Sequence, residues 1–190
     1  MAYQELRFRI TGVSPLLHHN GQLADPLNEL ARALKAVTGK RVKTDSDYEE
    51  MARLEWYGSL YLKDGKPCIP GMVIEAMLVE ASRRNKRGKQ AQAGIFVSDD
   101  ALLEYDGSTD LEELWKNKDY RLTVGVKVKQ SRVMRTRPKF DKWAAFVSIM
   151  FDDGLMNASE IAQAIRVAGE VVGLNDWRPK FGRFKVEQVS

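Results

Sequence analysis

Apolar positions along the chain repeat with two periods, and the alternation between them marks six well-patterned segments. Residues 5–11 alternate, with Leu6, Phe8 and Ile10 on one side and Arg7, Arg9 and Thr11 on the other, as in a half-buried strand. Residues 71–85 carry Ile74, Met77, Leu78 and Ala81 at helical spacing. Residues 121–129 alternate again, with Leu122, Val124, Val126 and Val128 inward. Residues 142–151 are apolar on both sides, Trp143, Ala145, Val147, Ile149 and Phe151 against Ala144, Phe146 and Met150, which predicts a strand in the middle of a sheet. In 157–172, Ile161, Ala164, Ile165, Ala168 and Val172 form a helical stripe. Asn157 and Glu160 have capping-box spacing before it, and Gly173 follows it. A short strand over 183–189 ends the chain.

Weaker signals lie between these segments. Helices are predicted at 26–37, at 47–56 with Asp45 or Ser46 as cap, and at 110–116. Asp64-Gly65 between two apolar pieces signals a hairpin within 59–69, and 94–105 suggests one or two short strands. The strong segments run strand, helix, strand, strand, helix, strand. That is the ferredoxin-like (RRM-like) βαββαβ order, an α+β fold with an antiparallel sheet and both helices on one face. The expected organisation is one domain over 1–190, with 12–70, 86–120 and 130–141 as insertions and the last a basic, thumb-like β-hairpin tip. The helix-free face would carry Arg7, Arg9, Lys127, Arg183 and Lys185 without exposed ring pairs, which favours contact with a nucleic-acid backbone over contact with bases.

Composition narrows the function classes. The 190 residues carry 30 Lys and Arg against 26 Asp and Glu, a formal charge of +4, and the charges are segregated. Acids crowd 45–55 and 99–113, and cations crowd 83–89, 121–142 and 178–185, a distribution suited to a polyanionic partner. No apolar run approaches the ~20 residues of a membrane span, and Met1 to Glu5 has no signal-peptide core, so no membrane contact and a cytoplasmic location are expected. The single Cys68 excludes an internal disulfide and a cysteine-cluster zinc site, and no phosphate-binding glycine motif occurs. No metal and no cofactor are expected.

Four stretches resemble the RAMP superfamily, the backbone and processing subunits of CRISPR ribonucleoproteins. Leu6–His19 is similar to that family's first strand and following loop. Lys66-Pro67-Cys68-Ile69-Pro70-Gly71 resembles the turn that leads into its first helix. The 130–141 tip is placed like the thumb of the backbone subunits, and Gly173–Phe184 resembles the glycine-rich loop before the last strand. The resemblance implies a non-catalytic protein that binds single-stranded RNA, with single-stranded DNA as the alternative, and associates head to tail along it. A compact relative borne by a virus or mobile element, or a viral mimic that binds a host protein complex, is also consistent with it.

The phosphate-contacting candidates are Arg132, Arg135, Arg137 and Lys139 on the tip, Arg83, Arg84, Lys86 and Arg87 after the first strong helix, Arg178, Lys180 and Arg183 in the last loop, and Arg7 and Arg9 on the sheet. The alternative is a metal-independent endoribonuclease. The two histidines, His18 and His19, lie in the loop where the processing enzymes keep a proton-transferring histidine, with Ser14 or Lys40 as helpers. Asp25 is placed like the target-cleaving aspartate loop of some backbone subunits, but turn chemistry or a cap for the helix at Pro26 is the favoured reading.

Overall fold

The computed structural model describes residues 3–128 and 130–189, with Val128 described by its backbone alone. Lys129, at the end of one expected strand, lies outside the described residues. In chain order the elements are β1 (Tyr3–Gly12), β2 (Leu16–Leu17), α1 (Glu29–Thr38), α2 (Asp45–Ser59), β3 (Leu62–Lys63), β4 (Lys66–Ile69), α3 (Gly71–Arg83), α4 (Gly88–Gly94), β5 (Ile95–Phe96), β6 (Ala101–Glu104), α5 (Leu111–Lys116), β7 (Arg121–Val128), β8 (Ser131–Phe140), β9 (Ala144–Asp152), α6 (Ala158–Val167) and β10 (Phe184–Val189). The contacts divide the chain into two compact units, one of Met1–Leu16, Leu62–Asp106 and Asp141–Ser190, the other of Leu17–Tyr61 and Gly107–Phe140. Among the described residues no helix is long and apolar enough to cross a membrane.

The first unit is built on a sheet of order β10-β1-β9-β6-β4-β3, with β5 also on β9. The pairs β1–β10, β1–β9 and β9–β6 are antiparallel. β10, β1, β9 and β6 therefore stand in the 4-1-3-2 order of a ferredoxin-like α+β fold. Alternation along β1 sends Phe8 and Ile10 inward, where the register sets them opposite Val147 and Ala145. The apolar stripes of α3 (Ile74, Met77, Leu78, Ala81) and α6 (Ile161, Ala164, Ile165) are buried with them.

One strand sits elsewhere than expected. The second strand of the core is β6, four residues long, and not 121–129, which pairs with β8 in a separate sheet. Only Ala101 and Leu103 of β6 turn inward, too few apolar positions to stand out as a period. Nor is the central strand covered on both sides. Phe146 and Met150 of β9 are 46% and 38% exposed, and the buried face is that of Ala145, Val147, Ile149 and Phe151.

Local sequence explains the other elements. Asp64 and Gly65 both take positive φ, 51° and 75°, as a two-residue turn between β3 and β4 requires. The Asn157–Glu160 capping box forms, with each side chain accepting from the other's backbone N–H at 3.0 Å. After α6 the helix widens into a π turn over Ala168–Val172, where a Cβ on Gly169 would come within 2.4 Å of the Phe184 carbonyl. Gly173, at φ 77°, ends it.

In the second unit α2 lies against β8. Trp56 is fully buried and its indole N–H donates to the Tyr120 carbonyl at 2.9 Å. Glu55, also buried, accepts from the Thr136 backbone N–H at 2.9 Å and ion-pairs with Arg135. The Thr123 and Thr136 hydroxyls meet at 2.9 Å across the β7–β8 ladder. The ladder continues to Val128↔Ser131, so β7 and β8 form one long hairpin, and the expected tip over 130–141 is mostly its second strand. α1 is capped by Asn28 and α2 by Thr44 through a capping box with Asp47, not by the Asp45 or Ser46 expected.

Candidate nucleic-acid interface

The last loop of the first unit is anchored by its own backbone. Gly182 N–H donates to the Pro15 carbonyl at 2.8 Å, Leu174 N–H to the Gly182 carbonyl at 2.9 Å, and Arg183 N–H to the Ser14 hydroxyl at 2.9 Å. Gly173 and Gly182 are required here. Both have positive φ, and a Cβ on Gly182 would stand 2.1 Å from the Leu174 carbonyl. Asn175 and Trp177 also adopt left-handed backbone, at φ 58° and 55°, a conformation that costs a residue as large as Trp on the order of 1–3 kcal/mol.

This loop closes one side of a cleft of about 470 Å³ lined by Arg84, Asp176, Trp177 and Arg178, with Glu80 opposite. Arg178 is ion-paired to Glu80 at 3.1 Å. The Trp177 ring leans on Phe181 at 5.8 Å and stays 38% exposed, so it does not fill the core. The Asn175 side-chain amide is buried with neither oxygen nor nitrogen bonded. Two sequence-distant candidates, Arg84 and Arg178, are thus brought onto one surface beside an accessible indole. Arg83, Lys86, Lys180 and Arg183 are exposed. Arg87 is engaged otherwise: it pairs with Glu160 at 3.0 Å and donates to the Leu155 carbonyl at 2.8 Å, tying the turn after α3 to the start of α6.

The helix start at Gly71, where backbone N–H groups could otherwise face an anion, is occupied. Gly71 N–H donates to the Asp100 carboxylate at 2.9 Å, and a Cβ on Gly71 would lie 2.3 Å from the Val97 carbonyl. A carboxylate already sits where an anion would bind.

The uncovered face of the sheet carries Arg7 and Arg9 as expected, with Lys185 beside them, since Thr11 pairs with Lys185. Lys127 is not among them, because β7 belongs to the other sheet. The face is also not without rings: Phe146, Phe96 and Tyr3 are 46%, 41% and 54% exposed. Arg9 pairs with Glu104 at 2.9 Å and lies 5.6 Å from the centre of the Phe146 ring. The sequence signal for the Phe146 ring is Ser148, a polar residue on the same side of β9 as Phe146 and Met150.

In the second unit the hairpin cations divide between the two faces of β8. Arg135, Arg137 and Lys139 alternate onto one face and are half-buried, and Arg132 is exposed on the other, opposite Lys127. Arg135 is held by Glu55.

The hydrolytic candidates separate clearly. His18 is fully buried, its Nδ1 accepts from the Tyr61 N–H at 3.2 Å, and its ring packs on Phe140 and Tyr61. Burial lowers its pKa to about 3, so it is a neutral core residue and cannot serve as a solvent-facing proton shuttle. His19 is exposed, and its carbonyl accepts from the Tyr61 hydroxyl at 2.9 Å. Asp25 accepts from the Leu27 N–H at 2.8 Å, a local turn; Asn28, not Asp25, caps the helix. Ser14 is used by the last loop, and Lys40 by Asp47 at 2.5 Å. Among the described residues no group of three or more His, Cys, Asp or Glu could hold a metal ion.

No family model matches the chain, and no curated protein matches it. Among solved structures it is similar to a chain of the Type III-B Cmr-beta complex bound to cognate target RNA, determined by cryo-electron microscopy. Identity is 12% and the TM-score 0.46, over 99% of this chain and 61% of that one. The protein thus spans about three fifths of the length of that Cmr-beta chain.

Proposed function

We propose that the protein binds single-stranded RNA without cleaving it, as a compact RAMP-like subunit that associates head to tail along its ligand. The observation that carries this reading is the convergence of Arg84 and Arg178 on the cleft beside Trp177. Guanidinium groups suit phosphate, a half-exposed indole suits a base, and single strands offer both together. Lys180 and Arg183, in the same loop, extend the cationic surface, and Arg7 and Arg9 lie on the sheet, where Glu104 pairs with Arg9. On the hairpin, Arg132, Arg137 and Lys139 make a second set of contacts, and Arg135 supports them from its ion pair with Glu55. Arg83 and Lys86 are peripheral members of the first set, and Arg87 supports it by fixing the turn after α3.

Filter retention of labelled single-stranded RNA tests the assignment. The wild type retains the strand intact in EDTA, and the Arg84→Glu, Arg178→Glu double variant retains it at least tenfold less well with an unchanged melting temperature. Equal retention by wild type and double variant would reject the cleft, and RNA fragments made by the wild type in EDTA and lost on changing His19→Ala would reject the non-cleaving reading.

A further inference from the structure

The open face of the first unit's sheet combines features that a solvated sheet avoids. β9 lies between β1 and β6, yet it presents Phe146 and Met150 to solvent. Phe96 pairs with Met150 from the other side and Tyr3 meets Phe96 edge-on, with ring centroids 5.6 Å apart. Leu102, 46% exposed, shares the face with Glu104 by alternation along β6. Side chains left half in water forgo part of their burial, and several of them on one sheet face, parted by Ser148, mark an interaction surface.

Charge and spacing indicate the occupant. Arg7, Arg9 and Lys185 on this face are balanced by Glu5, Glu104 and Glu187, so net charge does not draw a polyanion to it. What it offers is ring faces with one cation between them. Phe146 and Met150 are about 13 Å apart at strand spacing, and the row between them holds Ser148 beside Arg7. A protein partner would want the apolar positions continuous. Ring, cation, ring is instead the order of base, phosphate, base along a single strand. Arg9, held by Glu104 near the Phe146 ring, widens that platform with a planar cation.

We infer that this face stacks nucleobases of a single strand, one on Phe146 and one on Phe96, with Arg7 taking the phosphate between them. The inference rests on the single-strand reading above and adds to it base stacking, which does not depend on salt, beside the Arg7 phosphate contact. Both rings are half-exposed, so replacing them leaves the core intact.

The test is fluorescence anisotropy of the full chain with fluorescein-labelled oligouridine, for the wild type, Phe146→Leu, Phe96→Leu and the double variant. Leucine keeps apolar bulk and removes the ring. Each single change is expected to weaken binding about fivefold or more, with the slope of log affinity against log salt unchanged, because no phosphate contact is removed. Photo-crosslinking with 5-iodouridine strands is expected to label peptides containing Phe146 or Phe96 in the wild type, a readout that needs no variant to fold. Unchanged affinity in the double variant, or crosslinks confined to 174–183 and 131–139, would overturn the stacking and leave the cleft reading standing. A wild type that binds no strand would overturn both. Loss of self-association in the double variant with oligouridine affinity intact would make a second copy of the chain the occupant and overturn the inference.

Discussion

Glu80 holds Arg178 at 3.1 Å across the cleft, so the guanidinium best placed for a phosphate already carries a carboxylate. A strand that binds there must displace Glu80 or share Arg178 with it. Glu80→Gln removes the competing charge while keeping the shape. The pair is 36% and 49% exposed and therefore worth little by itself, so the gain is modest: about two- to fivefold tighter binding of single-stranded RNA. Titration of the two proteins side by side checks this, and weaker binding by the Gln variant would count against phosphate at Arg178.

Arg135 and Arg132 separate stability from binding on the hairpin. Glu55 is buried and bonded to both Arg135 and the Thr136 N–H, so Arg135→Ala strands a carboxylate and costs about 2 kcal/mol. Arg132 is exposed on the other face of the strand, so Arg132→Ala is expected to lower RNA affinity and leave the urea midpoint unchanged. Urea unfolding of both variants distinguishes the roles.

His18 makes the fold sensitive to acid. Its pKa falls from 6.5 to about 3 on burial, so the unfolded chain binds a proton that the native one refuses throughout that window. Stability from this group is complete above pH 6.5 and lost as pH falls toward 3, by about 1.4 kcal/mol per pH unit well inside the window. His18→Gln keeps an acceptor for the Tyr61 N–H and removes the titration. Urea midpoints at pH 7.5, 6 and 5 are expected to fall for the wild type and to change less for the variant.

Much of the fold was legible because its main elements are long and periodic. β1, α3, β9 and α6 each span nine residues or more. β6 escaped because four residues carry no measurable period. The outgoing strand of the long hairpin escaped for another reason: Arg135, Arg137 and Lys139 recur at period two, and their charge masked the strand alternation that they also mark. The cleft could not be read at all, since Arg84 and Arg178 meet only through the packing of α3 against the segment after α6. Phe146 was assigned to the interior by a pattern that was apolar on both sides of β9, with Ser148 the one sign of an open face.

Gly182→Ala tests whether the loop's shape matters to the site. A left-handed φ of 72° and a Cβ 2.1 Å from the Leu174 carbonyl strain any substitution by about 2 kcal/mol or more. In a chain of this size that corresponds to a fall of about 4–8 °C in melting temperature, readable by calorimetry. RNA affinity is expected to fall as well, because the same glycine positions Arg183 and the cleft-lining residues before it.

The salt dependence of binding tests the central claim most directly. Affinity for a labelled single-stranded RNA is measured from 50 to 400 mM monovalent salt. With phosphates held by Arg84, Arg178, Lys180 and Arg183, log affinity should fall against log salt with a slope on the order of −2 to −3 from these four alone, at roughly 0.7 per phosphate, and hairpin contacts steepen it. A flat line, or no binding at the lowest salt, would contradict the assignment of these side chains to a nucleic-acid backbone.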